Sequence, residues 1–504
     1  MVRRVRGLET EYGLSVRVRT NQGTWRRLGS DDAAHLLFAP VVEANRATNV
    51  YLRNGGRLYL DVGSHPEYAT AECSTLAELV AQDRGGDLVL ARLADRCRSA
   101  LADQGTDARV SLFKNNVDSH GNAYGSHENY QVARDLDLEA LVAGMASFLV
   151  TRQLICGAGH WERDRLGRGR FLVSQRAAHM ADGLSSSTTR SRPMVNTRDE
   201  PHADAERFRR LHVIVGDSNM LEPTTLVRIG ATELVLRVLE AEFGASTGSV
   251  VMGGGSVVMG GGSAVVGGSH RSPSLSRGLV VPDPARAIRE VSADPTGRTV
   301  VTEDGHSALA VQWAWWKAAE PLVDDAELAA AHALWADVLQ ALDDGAPERV
   351  ADRIDWVAKR RLMLAQRDRH DMPDDDPRLA QVDLAWHDIV AGQGLARLAE
   401  ERGQVSRWLA DGVAERAELE PPATTRAVLR SRFVEAAQRH QRSHGVDWMK
   451  FACHDLDGGT VVVDDPLRTQ DPAVDAVIAR MAVEPRSATG QALPGFGGGH
   501  SLLG

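Results

Sequence analysis

An α+β fold, with one large domain and a smaller C-terminal one, is what this sequence predicts, and three observations carry it. The chain has 504 residues, more than a single hydrophobic core usually holds. Its first half alternates short β-rich runs with helical ones, and from about Ser307 to Leu409 it turns helical and alanine-rich. Pro421-Pro422 then interrupts the pattern ahead of a short helix and short strands.

Residues 58–62, 110–113 and 211–215 are rich in β-formers and read as strands, while residues 76–102 carry a helical period. In the helical half, residues 325–342 place Leu328, Leu334, Val338 and Leu342 on one face, as an amphipathic helix buttressing a sheet requires. Beyond the two prolines the pattern predicts a helix over 428–441 and strands around 446–451 and 460–463. The expected division is a catalytic domain over 1–415, a small domain over 416–484 and a disordered glycine-rich tail over 485–504. Ser249 to Ser269 repeats Val-Val-Met-Gly-Gly-Gly-Ser twice, a glycine density whose entropy cost disfavours helix and strand. This predicts a flexible insertion over about 245–278 between two helices, with a substrate-facing flap as the functional alternative.

Hydrophobic residues make up 43% of the chain and charged residues 25%, and apolar runs such as 140–150 end at a charge before reaching the length of a bilayer. No membrane segment is expected. The basic N-terminus runs at once into the polar Glu9-Thr10-Glu11, where a secretory signal needs an apolar stretch, so the expected compartment is the cytoplasm. Cys73, Cys97, Cys156 and Cys453 are scattered, which argues against a zinc ribbon or a disulfide framework and for core thiols. A net charge of -10 and an isoelectric point near 6.0 disfavour a nucleic-acid partner.

Glu9 and Glu11 are two residues apart, so on a strand both carboxylates share a face. Alone they would be an ordinary solvated face. Arg57, Tyr59 and Asp61 alternate with Leu58 and Leu60, however, and display a cation, a phenol and a carboxylate together. His65, Glu67 and Glu72 follow closely. Two carboxylate-bearing strands with histidine nearby supply what a magnesium-nucleotide site needs, since magnesium prefers hard oxygen ligands and bridges them to phosphate. Gly125-Ser126-His127-Glu128-Asn129-Tyr130 and the arginine-bearing stretch 188–204, including Arg198, add groups suited to a transferring phosphoryl. That stretch leads into Leu211-His212-Val213, where His212 faces away from Val213 and Val215; a lone histidine there is usually structural. No phosphate-binding Gly-Lys-Ser/Thr loop, Rossmann fingerprint or nucleophile elbow is present. If nucleotide binds, carboxylates, metal and arginines on a sheet must hold it.

Gly7-Leu8-Glu9-Thr10-Glu11-Tyr12-Gly13, Phe113-Lys114-Asn115-Asn116, Phe148-Leu149-Val150-Thr151-Arg152-Gln153 and Asn196 to His202 running into Arg210 to Asn219 resemble the Pup ligase and Pup deamidase/depupylase family. The form of the motif from Val62 to Thr70, and the short stretch between Glu11 and Asn54, are similar to the ligase branch. The resemblance implies a glutamine-synthetase-like, carboxylate-amine ligase fold with a curved antiparallel sheet. It further implies ATP as co-substrate and Mg2+, with Pup, lysine-bearing target proteins and a link to the bacterial proteasome as partners. Carried over by motif, Glu9, Tyr59 and Glu67 would lie at the metal sites, and Arg57, Thr70 and Trp448 would contact the nucleotide. Asp61 would be the catalytic carboxylate that takes a proton from the incoming lysine. Glu11, His127, Arg198 and His212 are secondary candidates. Trp448 has core packing as its plain alternative. The competing readings are an amide hydrolase on the same fold, a non-catalytic Pup-binding adaptor and a small-molecule ligase.

Overall fold

The computed structural model describes residues 3–61, 63–118, 121–164, 166–185, 193–196, 198–247 and 275–485. Its strands are β1 (Arg6–Glu11), β2 (Gly13–Arg19), β3 (Trp25–Arg27), β4 (Asn49–Tyr51), β5 (Arg57–Asp61), β6 (His65–Ala69), β7 (Ala108–Phe113) and β8 (Ser126–Ala133). There follow β9 (His160–Arg163), β10 (Gly169–Leu172), β11 (Asp182–Ser185), β12 (Pro193–Asn196), β13 (Phe208–Val213), β14 (His444–Val446), β15 (Lys450–Cys453) and β16 (Thr460–Val462). Eight of them form the central sheet in the order β11-β12-β13-β8-β1-β6-β5-β4. Every pairing in it is antiparallel except β11 with β12.

The two-residue period of these strands separates chemistry from packing. Leu8, Leu58, Tyr68, Tyr130, Leu211 and Val213 point to one face and are buried. Two long helices, Leu76–Asp103 and Glu222–Thr247, contribute to the cores on that side. The first starts at Thr75, whose hydroxyl accepts from the Glu78 amide at 3.1 Å while the Glu78 carboxylate accepts from the Thr75 amide at 3.4 Å, a reciprocal cap. Its Gly86 is needed where the helix meets the sheet: a Cβ there would stand 2.3 Å from the Tyr68 ring.

The expected helical half is present, from Ala308–Ala319 through Leu395–Glu401. Asp325 caps Ala326–Asp343, accepting from the Leu328 amide at 2.8 Å, and Leu328, Leu334, Val338 and Leu342 are all buried. Trp315, Trp335, Trp356 and Trp386 are fully buried. Each indole N–H is satisfied, by Ser147, Gln312, Leu154 and Asp355 respectively, so their burial carries no polar cost. All four cysteines are free and buried, as core thiols should be.

The C-terminal elements, Ala427–Arg439, β14 to β16 and Pro472–Val483, enclose a hydrophobic cluster of their own that includes Leu429, Phe433, Phe451 and Met481. Where the pattern predicts one strand around 446–451 the structure has a hairpin. The Asp447 carboxylate accepts from the Met449 and Lys450 amides at 2.7 Å each and turns the chain between β14 and β15. The helix Ser30–Asn45 was not legible, because a proline stands inside it at Pro40. The segment predicted to be a flexible insertion lies largely outside the described residues, with helices ending at Thr247 and resuming at Leu275; the tail beyond residue 485 also lies outside them.

Glu72 fastens the C-terminal elements to the sheet. Its carboxylate accepts from Arg426 Nε at 2.9 Å and pairs with Arg430. Arg430 also donates to the carbonyls of Gly55 at 2.9 Å and Trp448 at 3.2 Å. Burial alone would raise the Glu72 pKa, but the guanidinium groups of Arg430 and Arg426 outweigh it and hold the carboxyl at about 2 against an ordinary 4.5. A depressed carboxyl pKa contributes stability that is present above about pH 4.5 and is lost as the pH falls toward 2; the shift corresponds to roughly 3 kcal/mol. Glu72→Gln is therefore expected to lower the thermal unfolding midpoint at pH 7 and to remove part of the acid-induced fall between pH 5 and 3, as followed by calorimetry. An unchanged acid limb would contradict this anchor.

Candidate active site

Strand register assembles the polar face. Tyr59, Glu67 and Glu11 lie directly opposite one another across β5, β6 and β1. One step along, Arg57, Ala69, Glu9 and His127 form the next row, and Gly7, Asn129, His212 and Asn196 the one after. Asp61 pairs with His65 at the exposed end. Directly opposed residues project to the same face, so the charged side chains gather on the side away from the helices.

Two groups on this face bring three ligand atoms each within 4.8 Å of one another: Glu9 with His127 and His212, and Glu11 with Asp61 and Glu67. In the first, Glu9 Oε2 is 3.3 Å from His127 Nδ1 and 3.9 Å from His212 Nε2. Asn129 donates to Glu9 Oε1 at 3.1 Å, and Arg210 Nη1 is 3.6 Å from the same oxygen. The two imidazoles meet edge to face at 5.0 Å. His212 is buried, yet neither of its ring nitrogens has a hydrogen-bond partner among the described residues. A histidine serving only structure would be satisfied; these nitrogens have the character of ligand atoms. Gly125 permits the close approach of the two groups, since a Cβ there would stand 2.4 Å from His127 Nε2 and 3.0 Å from Glu11 Oε1.

Electrostatics point the same way. Burial raises the Glu9 pKa, but the hydrogen bond from His127 and the charges of His212, His127 and Arg210 outweigh it, and the carboxyl is held below its usual range. Burial also acts on His212, depressing it to about 3 in spite of Glu9. Glu67 is driven well above the carboxylate range by burial and then by Glu9, Glu11 and Asp61, which the hydrogen bond from Tyr59 only partly offsets. A carboxylate crowded by three others is the arrangement a cation relieves. The all-oxygen group suits magnesium, and the group with two imidazoles also suits manganese.

Beside the first group a pocket is lined by Gly7, Glu9, Thr70, Asn129, Gln131, His202, Arg209, Arg210, Arg426 and Trp448. Trp448 is half-buried, set edge-on to Tyr51 at 5.1 Å with the Arg430 guanidinium 5.0 Å from its centroid. It lines this pocket rather than filling the C-terminal core. Thr70 Oγ accepts from the Leu8 amide at 3.0 Å. An aromatic wall and a guanidinium group beside the Glu9 cluster give a concave site with the chemistry to take an anionic ligand that carries a flat ring.

The other predicted residues are placed as follows. Tyr59 stands opposite Glu67 and under the Arg57 guanidinium, 4.3 Å away. Arg57 donates to Asn49 at 2.8 Å and lies outside the lining of the pocket. Asp61 is exposed. Arg198 is also exposed, 3.8 Å from Glu200, while Arg190 and Arg192 of the same stretch lie outside the described residues. His212, for which a structural role was the default expectation, belongs instead to the Glu9 group. Asn129, Gln131, Arg209 and Arg210 were not singled out. For Asn129 and Gln131 the signal was the alternation His127, Asn129, Gln131, obscured because the opposite face of β8 carries a charge, Glu128. That residue is fully buried and satisfied by Arg152, whose Nη1 donates at 2.8 Å, and by Tyr130 at 2.7 Å.

The model of the Pup-ligase protein family matches residues 4–452. This chain belongs to the Pup-ligase family. It is 45% identical over 489 residues to the Pup-protein ligase of Kribbella flavida, covering 95% of this chain and all of that one. It is 44% identical to the Pup-protein ligase of Gordonia bronchialis, with the same coverage. Among solved structures, it is similar to a complex between prokaryotic ubiquitin-like protein Pup and its ligase PafA, with a TM-score of 0.83 and 38% identity over 95% of this chain and 92% of that one. The Pup ligase PafA in complex with ADP has a TM-score of 0.75 and 39% identity over 90% and 94%. The antiparallel sheet backed by helices is the α+β arrangement that the sequence predicts.

Glu9→Gln keeps the shape of the side chain and removes the charge between the two imidazoles. Mn2+ titration monitored by electron paramagnetic resonance is expected to show affinity weakened by at least roughly tenfold, without loss of the folded state by circular dichroism. Unaltered Mn2+ binding would show that this group holds no cation.

Proposed function

We propose that this chain is an ATP-dependent carboxylate-amine ligase. It phosphorylates the side-chain carboxylate of the C-terminal glutamate of Pup and joins it through an isopeptide bond to lysines of target proteins. The conjugates are thereby marked for proteasomal degradation. The reading is carried by one observation: two groups of potential cation ligands stand side by side on one sheet face, with a pocket lined by Trp448 and Arg210 at one end and the exposed Asp61 at the other. Full-length likeness to Pup-protein ligases, and to a ligase crystallised with Pup and another with ADP, supports it. No helix among the described residues is long and apolar enough to cross a membrane, and we place the enzyme in the cytoplasm, where Pup, ATP and folded targets meet.

Chemistry follows from the groups present. A carboxylate does not acylate amines in water, so the terminal phosphoryl group of ATP is transferred to it, giving a γ-glutamyl phosphate and ADP. Magnesium, which Glu9, Tyr59 and Glu67 would hold with Glu11, His127 and His212 beside them, would neutralise the phosphate charge that otherwise repels the attacking carboxylate. Arg210 supplies fixed positive charge at the pocket, and Trp448 offers a face or edge to the base. The lysine ammonium then gives a proton to Asp61, its nitrogen attacks the acyl carbon, the bond from that carbon to the phosphate oxygen breaks, and inorganic phosphate leaves with the electron pair and takes up the second proton that the nitrogen loses. Asp61 suits this step because it is the exposed member of its group and can meet an amine arriving from solvent.

Incubation with glutamate-terminated Pup, a lysine-bearing acceptor, ATP and magnesium is expected to yield ADP and an isopeptide-linked conjugate by mass spectrometry. Asp61→Ala should reduce conjugate formation by about three orders of magnitude or more, within the range typical of general-base loss. Cleavage of preformed conjugate without synthesis would move the chain to the hydrolase branch.

A further inference from the structure

One cluster on the polar face is not used by the chemistry above. His65 stands directly opposite Asp61 across the β5–β6 turn, and its ring packs on Tyr124 with centroids 4.7 Å apart and planes inclined at 41°. Tyr124 is itself buried. Its carbonyl is fixed by Asn116, whose Nδ2 donates to it at 3.2 Å and to Ser218 at 3.0 Å. Asn115 flanks the same tyrosine. The Cβ that Gly13 lacks would lie 2.8 Å from the Tyr124 hydroxyl and 3.4 Å from Asn115 Oδ1. Two atoms bordering this tyrosine, His65 Nδ1 and Asn115 Oδ1, are buried and have no hydrogen-bond partner among the described residues. Buried polar atoms are rarely left so. An orphaned imidazole nitrogen whose ring packs on Tyr124 opposite an exposed carboxylate, with an orphaned amide oxygen on the side chain beside the Tyr124 hydroxyl, matches a group with several N–H donors and an apolar stem.

We propose that His65, Tyr124 and Asn115 form the seat of the acceptor lysine, with its methylene chain along the two rings and its amine turned toward Asp61. This rests on the ligase reading and refines it. The seat acts on the second half-reaction only, because the acyl phosphate forms before any amine is needed. It selects for a long unbranched primary amine, since a shorter side chain anchored outside the rings would not bring nitrogen to Asp61.

Hydroxylamine separates the halves: being small and neutral at pH 7, it captures the acyl phosphate as a hydroxamate without needing a lysine seat. For His65→Ala and Asn115→Ala we measure hydroxamate formation from Pup, and conjugation to an acceptor protein over a range of acceptor concentrations. The proposal expects the ratio of conjugation to hydroxamate formation to fall by roughly tenfold in each variant, the effect of one lost hydrogen bond to a charged group. It expects this fall as a raised KM for the acceptor, with hydroxamate output certifying a folded enzyme. An unchanged ratio, whether both rates hold or both fall together, would overturn it. Absence of hydroxamate from the unaltered protein would instead remove the ligase reading itself, and this inference with it.

Discussion

Glu9, Glu11, Asp61 and Glu67 share one face of the sheet so closely that the other three carboxylates all raise the cost of charging Glu67. Such a cluster repels itself, and on its own face the two imidazoles, Arg210, Asn129 and Tyr59 offset the repulsion only in part. It persists because the backbone carrying it cannot move. Leu8, Tyr68, Tyr130 and Leu211, from the same strands, are locked into the helical layer behind, and a one-residue slip would exchange the two faces entirely. A cation bound there would relieve that repulsion.

Buried charge on the packed side serves the same end. Glu128, one residue from His127, is held by Arg152 and Tyr130, and Glu233 by Arg4 and Arg6. Isolated, either carboxylate would destabilise the fold by several kcal/mol; paired, they fix the register of β8 and β1 and so the spacing of Glu9 from His127. Phe113-Lys114-Asn115-Asn116 divides likewise. Lys114 is buried against Asp83 at 2.8 Å, whereas Asn115 borders the polar face.

Much of this was legible in advance, because strand periodicity is a strong signal over short runs. The alternation of Arg57, Tyr59 and Asp61 with leucines assigned faces correctly, as did the spacing of Glu9 and Glu11. What the pattern could not give was which strands are neighbours. The metal candidates inferred from motif were Glu9, Tyr59 and Glu67. Register adds neighbours to these: His127 and His212 stand beside Glu9, Glu11 and Asp61 stand beside Glu67, and Tyr59 hydrogen-bonds to Glu67. His212 looked structural for the same reason: only pairing of β13 with β8, itself paired with β1, brings it to Glu9. The hairpin at Asp447 was missed because its turn depends on a side-chain carboxylate that composition does not reveal.

The central claim is that the crowded carboxylates and histidines are a cation site poised between nucleotide and acyl centre. A crystal structure with ADP and Mn2+, using anomalous scattering at the manganese edge, tests it most directly. The account predicts anomalous peaks among Glu9, His127 and His212 and among Glu11, Asp61 and Glu67, with ADP against Trp448 and Arg210. Well-ordered ADP with neither group holding manganese would contradict it.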